Sequence, residues 1–426
     1  MDVYSLNNNK NSIKLFKIYE FFICLLISSA LIGSKIFGIE LAGFTLFMDR
    51  IILFIILFLF WPKIMNKIIA NNSYVYLFLP MILIGLISLA SQSILGINQS
   101  YVIPSIKYIV LYVEFALFVA VISIVQDKNK LNKCFVYIMM AVLVVGILES
   151  LEIDVLNLPI FRWLPKTQQQ YADLNTIFYR GSTIRISSVY THSLAFGTVL
   201  SLYIPYLFYL YNNKIVRRSI LIISLILTNY CLFLTYSRTA IAITISFYIF
   251  MFIRAIVSKK QHPIKKIVLC LVVIIIFSFI TNILMNNLDV LFPQGANDTS
   301  VEMRLEDYKF VKDGFNQSPI LGLGAGSYRD NFNNAIDNFY LTTLYENGLI
   351  GLILLIIFII INVNYLNKCL SGNAIFTIKY IFFMLVLYNC TMDAFGFIEI
   401  MKFYLIIVAL SSKIEKQELI KGDKIL

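Results

Sequence analysis

Arg238, Arg304, Arg185 and Arg180 are the residues here best suited to holding an anion. Arg238 lies in TYSRTA, between two long apolar stretches. An arginine at the centre of a bilayer costs about 2.5–3.5 kcal/mol on insertion scales, and one at the interface still wants an anionic partner. Two uses fit it. One is a side chain that snorkels to lipid headgroups. The other is a guanidinium whose planar fork grips a phosphate through two parallel hydrogen bonds. Arg304 opens MRLEDYKFVKDGF, where Glu302, Glu306 and Asp307 are alternative ion-pair partners. Arg180 and Arg185 stand in YRGSTIRISSVYTHS before a further apolar run, and Arg185, nearer to it, is the better second anion contact. His192 falls about one turn inside that run, as a packed core side chain or as a base.

Carboxylates and glycines gather downstream. Residues 318–328, SPILGLGAGSY, carry Gly322, Gly324 and Gly326 after a proline. Glycine permits positive φ and close backbone approach. The run is therefore either a plain turn or a set of N–H groups, with Gly324 at its centre, facing a phosphate or sugar. No Walker lysine accompanies it, so a nucleotide site is unsupported. Asp337 and Asn338 precede another apolar run. Asp337 reads as a helix cap or as a general base at the membrane surface. Glu346, in YENGLIG, enters that run, and an acid at such depth normally faces a protein interior or a water-filled cavity. Gly348 and Gly351 permit a neighbouring helix to approach closely.

These groups need a scaffold, and composition defines its class. The 426 residues are 59% hydrophobic and 14% charged, with mean hydropathy +0.81; soluble domains carry roughly 25% charge. The expectation is an all-α, polytopic integral membrane protein, one domain over 1–426. At ~20 apolar residues per span, about twelve spans are predicted, near 19–34, 43–61, 74–92, 103–125, 134–151, 189–211, 220–236, 239–257, 267–285, 339–365, 375–391 and 395–410. Two polar loops interrupt them, at 152–187 and 286–337. Apolar positions from Met303 to Phe315 predict an amphipathic helix on the membrane surface within the second loop. The first apolar run follows Lys10, Lys14 and Lys17 but is too long, and lacks the small-residue site, for a cleaved signal, so it reads as a retained helix. Lysines and arginines follow spans two, four, six and eight and end the chain, which puts both termini in the cytoplasm and both polar loops outside. The net charge of +11 lies largely in those short loops, so it is no argument for nucleic acid. The six cysteines make no CxxC pair and read as small buried side chains.

In order and spacing, the set resembles the O-antigen polymerase and O-antigen ligase superfamily of bacterial surface-polysaccharide enzymes. The resemblance rests on Arg238 in Ser-Arg-Thr-Ala at a span end, Arg304 opening an external helix, the glycine run from Pro319 to Gly326, and DNFYLTTLYENGLIG. It covers roughly the second half of the chain, from Arg180 onward. Ligases of the family carry a histidine, followed by Asn, where this chain has Asp337, so the aspartate looks more like the polymerases. The resemblance implies a metal-independent glycosyl transfer, without a cofactor, at the outer face of the bacterial cytoplasmic membrane. The donor would be a glycan on undecaprenyl diphosphate, reaching the site through membrane lipid. Arg238, Arg304 and Arg185 would hold the diphosphate, and Asp337 would take the acceptor's proton. Arg180, Gly324, Asn338 and Glu346 are expected among the substrate contacts. In a polymerase the acceptor is a second lipid-linked repeat unit, and a chain-length regulator is the expected protein partner. A lipid-linked oligosaccharide flippase is the rival of another class. It needs polar residues deep in several spans, whereas the spans here read as largely apolar.

Overall fold

A chain in lipid must satisfy its backbone polar groups internally, so long apolar runs become helices. The computed structural model describes residues 3–41, 44–70, 73–95, 102–153, 164–167, 178–180, 183–257, 299–328, 336, 338–370 and 373–412. In order, its helices are α1 (Val3–Ile36), α2 (Met48–Ala70), α3 (Ser73–Leu95), α4 (Val102–Ser123), α5 (Lys128–Ser150), α6 (Ser193–Asn212), α7 (Arg218–Leu234), α8 (Arg238–Val257), α9 (Thr299–Gln317), α10 (Phe339–Cys369), α11 (Asn373–Tyr388) and α12 (Ile398–Ser411). Two short antiparallel hairpins join them, β1 (Gly38–Leu41) with β2 (Phe44–Phe47) and β3 (Phe178–Arg180) with β4 (Thr183–Arg185). α9 is the helix expected in the second polar loop, and the other helices stand where spans were expected. The span expected at 267–285 lies outside the described residues.

Helices α4, α5, α6 and α10 are each long and apolar enough to cross a membrane. The chain is a helical membrane protein, and its surface agrees. Phe58 is 86% exposed, Ile226 63% and Phe54 62%, an apolar coat that suits hydrocarbon rather than water. Helices α6 and α12 are apolar on nearly all sides and are buried along almost their whole length, as a helix without a polar face should be. They form the centre, with α12 packed against α1, α4, α5, α6 and α11.

Contacts between helix ends define two sides. At one, Lys128 Nζ at the start of α5 donates to the carbonyl and hydroxyl of Ser412 after α12, both at 2.7 Å. At the other, Glu149 near the end of α5 accepts from the N–H groups of Ser187 (3.0 Å) and Ser188 (2.5 Å). On that same side the Thr191 N–H donates to Glu399, in the first turn of α12, at 3.3 Å.

Two features were not expected from the sequence. The spans are less apolar than expected. Lys402 of α12 pairs with Asp49 of α2 and, at 2.8 Å, with Glu114 of α4, while Arg50 Nε pairs with Glu114 at 2.7 Å. Two cations and two carboxylates thus close on one another inside the helices. The glycine run of the second polar loop also packs between α3, α4 and α10, against Ser88, Pro104 and Glu346.

Candidate functional site

Arg238 is the first residue of α8, and the turn before it is tightly built. Tyr236 has φ +49°, a left-handed conformation uncommon for a non-glycine residue. Ser237 Oγ accepts from the Ala240 N–H at 3.4 Å. Gly197 of α6 lies so near that a Cβ there would stand 3.0 Å from Thr235 Oγ1 and 3.1 Å from Ser237 Cβ. The segment through Arg185 closes the other side. Ile186 N–H donates to Leu234 O (3.3 Å) and Arg185 Nε to Thr235 O (3.0 Å). Arg185 therefore sits on the carbonyl end of α7, where the helix dipole favours a cation, bonded to the residue three before Arg238. Arg180 ends β3 of the same hairpin, opposite Thr183.

The glycine run answers a break in α10. At Gly348 the backbone takes φ +60°, ψ −158°, a region essentially confined to glycine. A continuous helix would bond Leu349 N–H to Tyr345 O and Ile350 N–H to Glu346 O. Instead, Leu349 donates to Pro319 O (2.9 Å) and Ile350 to Ile320 O (3.2 Å). The vacated carbonyls accept from the run in turn, Tyr345 O from Leu323 N–H (3.0 Å) and Glu346 O from Gly324 N–H (2.8 Å). The run is a splice in the helical ladder. It is held further by Ala325 N–H to Ser88 Oγ of α3 at 2.6 Å.

Three of the expected residues make structural contacts of their own. Gly324 N–H bonds a carbonyl rather than facing a phosphate. Gly348 admits a loop rather than a helix: a Cβ there would stand 2.5 Å from Ile320 C and O. Asn338, expected among the substrate contacts, caps α10. Its side-chain oxygen accepts from Tyr340 N–H (3.0 Å) and Leu341 N–H (3.2 Å), and its Nδ2 donates to Cys390 O (3.2 Å). The capping weighed for Asp337 is thus done by Asn338; Asp337 itself lies outside the described residues. His192 precedes α6 rather than lying inside it, and its Nδ1 accepts the Leu194 N–H at 3.0 Å as the N-cap.

Glu346 points into a cavity of about 390 Å³ at the Arg238 end of the bundle, between the first turns of α2, α4, α10 and α12. Its Oε1 accepts the Gly326 N–H at 2.5 Å. Arg50, Lys107, Tyr108, Tyr328 and Asp393 line the same space. Two cations, two carboxylates and tyrosine rings can bind a hydroxyl-rich, charged ligand. Arg50 is aimed by Glu114 and by its 2.5 Å bond to Thr45 O. Reading the sequence missed Arg50, Lys107 and Asp393. The available signal was charge at the ends of apolar runs, together with Glu114 and Lys402 within them, since ionisable residues at that depth are functional candidates by default.

Arg304 is exposed, in the second turn of α9. That helix lays Asp307, Val311 and Gly314 inward, and a small apolar cluster of Val311, Ile336 and Tyr345 joins it to the start of α10. Phe310 stacks on Tyr345 with ring centroids 4.7 Å apart. Since α10 begins at the end where Phe339 N–H bonds Asn389 O (3.0 Å) and Thr198 of α6 meets Met392 (3.1 Å), the helix bearing Arg304 packs at the same end as Arg185 and Arg238.

Guanidinium groups and a carboxylate-lined cavity thus stand together at one end of a helical membrane protein with an apolar coat. Residues 219–356 match the family model described as O-antigen ligase. That match, over about a third of the chain, supports the O-antigen ligase and polymerase superfamily, whose members are glycosyltransferase-like enzymes. The matched residues include Arg238, Arg304, Gly324, Asp337, Asn338 and Glu346, and leave out Arg180 and Arg185. No curated protein matches the chain.

Proposed function

We propose that the protein is a polysaccharide polymerase, moving a glycan from undecaprenyl diphosphate onto a second lipid-linked repeat unit at the outer face of the cytoplasmic membrane. The observation that carries this is the shared rim. Arg185 is bonded to the turn that presents Arg238, and both stand at the end of the bundle that holds the Glu346 cavity and α9. Lys128, Lys214, Arg217, Arg218 and Arg254 gather at the opposite end, which supports a cytoplasmic placement for that side and for the termini.

In the proposed reaction an acceptor hydroxyl oxygen bonds to the anomeric carbon as that carbon's bond to the diphosphate breaks. The hydroxyl proton passes to the Asp337 carboxylate. The diphosphate leaves with the bonding electrons, and Arg238, Arg304 and Arg185 offset its charge. Charge stabilisation of this kind is commonly worth about 3–4 kcal/mol per donor. Glu346, Asp393, Arg50 and Lys107 hold acceptor sugar in the cavity.

A ligase is the second reading, favoured by the description of the matched family; Asp337 in place of histidine favours the polymerase. The buried charges of α2, α4 and α12 close on one another, which supports a scaffold rather than a flippase path. Arg238→Ala, Arg304→Ala and Asp337→Ala should each abolish long surface glycan at normal protein level. Arg304→Lys should also fail, because a point charge cannot replace the fork. Wild-type chain lengths in the three alanine variants would remove the assignment. In a deletion strain, one repeat on its final acceptor indicates a polymerase, and lipid-linked polymer without transfer indicates a ligase.

A further inference from the structure

A second concave site lies at the opposite end of the bundle from the Glu346 cavity. It has a volume of about 710 Å³ and is bounded by the first turns of α5, the α6–α7 turn and the start of α7. Lys133 comes from α5, Lys214 from the turn and Arg217 from the position capping α7, and no lining residue is acidic. All three cations are exposed, and among the described residues none has an ion-pair partner. Lys130, one turn from Lys133, does pair, with Glu20 at 3.5 Å.

The turn that carries Lys214 is rigidly made. Lys214 takes φ +58°, and its N–H and that of Ile215 close the end of α6 on Tyr211 O and Leu210 O, both at 2.9 Å. Arg217 gives α7 no side-chain cap, so the first N–H groups of that helix add to the positive field. Tyr137 and Tyr211 border the groove and are 58% and 38% exposed, as tyrosines are at the headgroup level of a membrane protein. Topology alone requires cations in a loop; it does not require three of them to converge on one hollow bordered by exposed tyrosines.

We propose that this groove binds the phosphate of an anionic phospholipid headgroup, with Lys133, Lys214 and Arg217 as its contacts. Each juxtamembrane cation contributes about a fivefold gain in affinity for anionic lipid, so removing three should weaken binding on the order of a hundredfold.

The test uses the full-length protein in neutral detergent, titrated with phosphatidylglycerol and, separately, with phosphatidylcholine of the same acyl chains, with bound lipid counted by native mass spectrometry. The wild-type protein should retain phosphatidylglycerol preferentially. The triple variant Lys133→Gln/Lys214→Gln/Arg217→Gln should lose that preference. A control variant with Arg254→Gln, Lys368→Gln and Lys379→Gln removes equal charge outside the groove and should keep it. Equal retention of the two lipids by the wild type overturns the site, and so does equal loss in the groove and control variants. Inorganic phosphate at millimolar concentration should displace little lipid; full displacement would assign the groove to a free anion instead. If the triple variant does not fold, Lys214→Gln and Lys133→Gln singly, at exposed positions, should each show about a fivefold loss, and wild-type retention in both would equally refute the proposal.

Discussion

Replacing Gly348 by alanine tests the splice between α10 and the glycine run directly. The native φ and ψ at this position, +60° and −158°, cost a non-glycine residue about 1–3 kcal/mol. The new Cβ would also stand 2.5 Å from Ile320 C and O and 2.7 Å from Gly322 N. The atoms it meets are backbone, so no rotamer change relieves the contact. The cheapest escape is to straighten α10 and expel the run. Straightening restores Leu349 to Tyr345 and Ile350 to Glu346 inside the helix. It forfeits all four splice bonds, a net loss of two at about 1 kcal/mol each. That bond loss opposes opening in wild type and variant alike and cancels between them. The strain alone, about 1–3 kcal/mol, therefore shifts the opening equilibrium by about 5- to 150-fold, and the backbone overlap adds to it.

Hydrogen exchange reads that equilibrium without any substrate. The Leu323 and Gly324 amides, bonded to Tyr345 O and Glu346 O, should exchange about tenfold faster or more in Gly348→Ala than in wild type. Amides of α6 and α12 should hold their rates. Protection at Leu323 and Gly324 within about threefold of wild type would refute the reasoning, because the run would then stay docked against an unbroken or differently broken helix.

Glu346→Gln keeps an oxygen to accept the Gly326 N–H and removes only the charge. Surface glycan should be lost with thermal stability unchanged, and normal glycan would reduce the carboxylate to a structural role. Lys402→Met leaves Asp49 and Glu114 buried without the ammonium they share. Removing one partner of a buried pair costs about 3–5 kcal/mol, so the protein should melt markedly lower; adding Asp49→Asn should recover part of the loss, and a wild-type melting temperature for the single variant would contradict the network. His192→Ala should cost about 1 kcal/mol, as loss of a helix cap does, with glycan length unaffected; loss of polymer at normal protein level would return His192 to the chemistry.

Much of the fold was legible because its signal is local. Apolar runs of span length, the amphipathic pattern over 303–315 and the Ser-Arg-Thr-Ala turn were readable one segment at a time, and α8 does begin at Arg238. What stayed hidden is long-range. Glu114 and Lys402 are 288 residues apart in sequence, yet their side chains meet at 2.8 Å. Within its own apolar run each looks like an isolated exception, and only packing shows that they answer one another. Asn338 and Asp337 competed for one cap, and sequence favours either. The Asn-Gly pair at 347–348 is a turn signal inside a helical pattern. It marked the break in α10, but nothing local specified the glycine-rich turns that fill it.

That insert shows why the loop and the helix act as one part. Tyr345 gives its carbonyl to Leu323 and its ring to Phe310. Gly314 of α9 lies so close to that ring that no side chain fits between them. The next residue, Glu346, gives its carbonyl to Gly324 and its carboxylate to Gly326. Two adjacent residues therefore fix the helix that carries Arg304, the glycine run and the acid facing the cavity. A closed helical ladder could not do this, since its carbonyls would already be engaged four residues on. The break at Gly348 frees them, and the strain it would impose on any other residue is avoided by the absence of a Cβ. The position of Arg304 relative to Glu346 is thus set by ring packing on Tyr345 together with the backbone bonding of the glycine run, the kind of support that an anion site and a neighbouring carboxylate need if they are to work on one substrate.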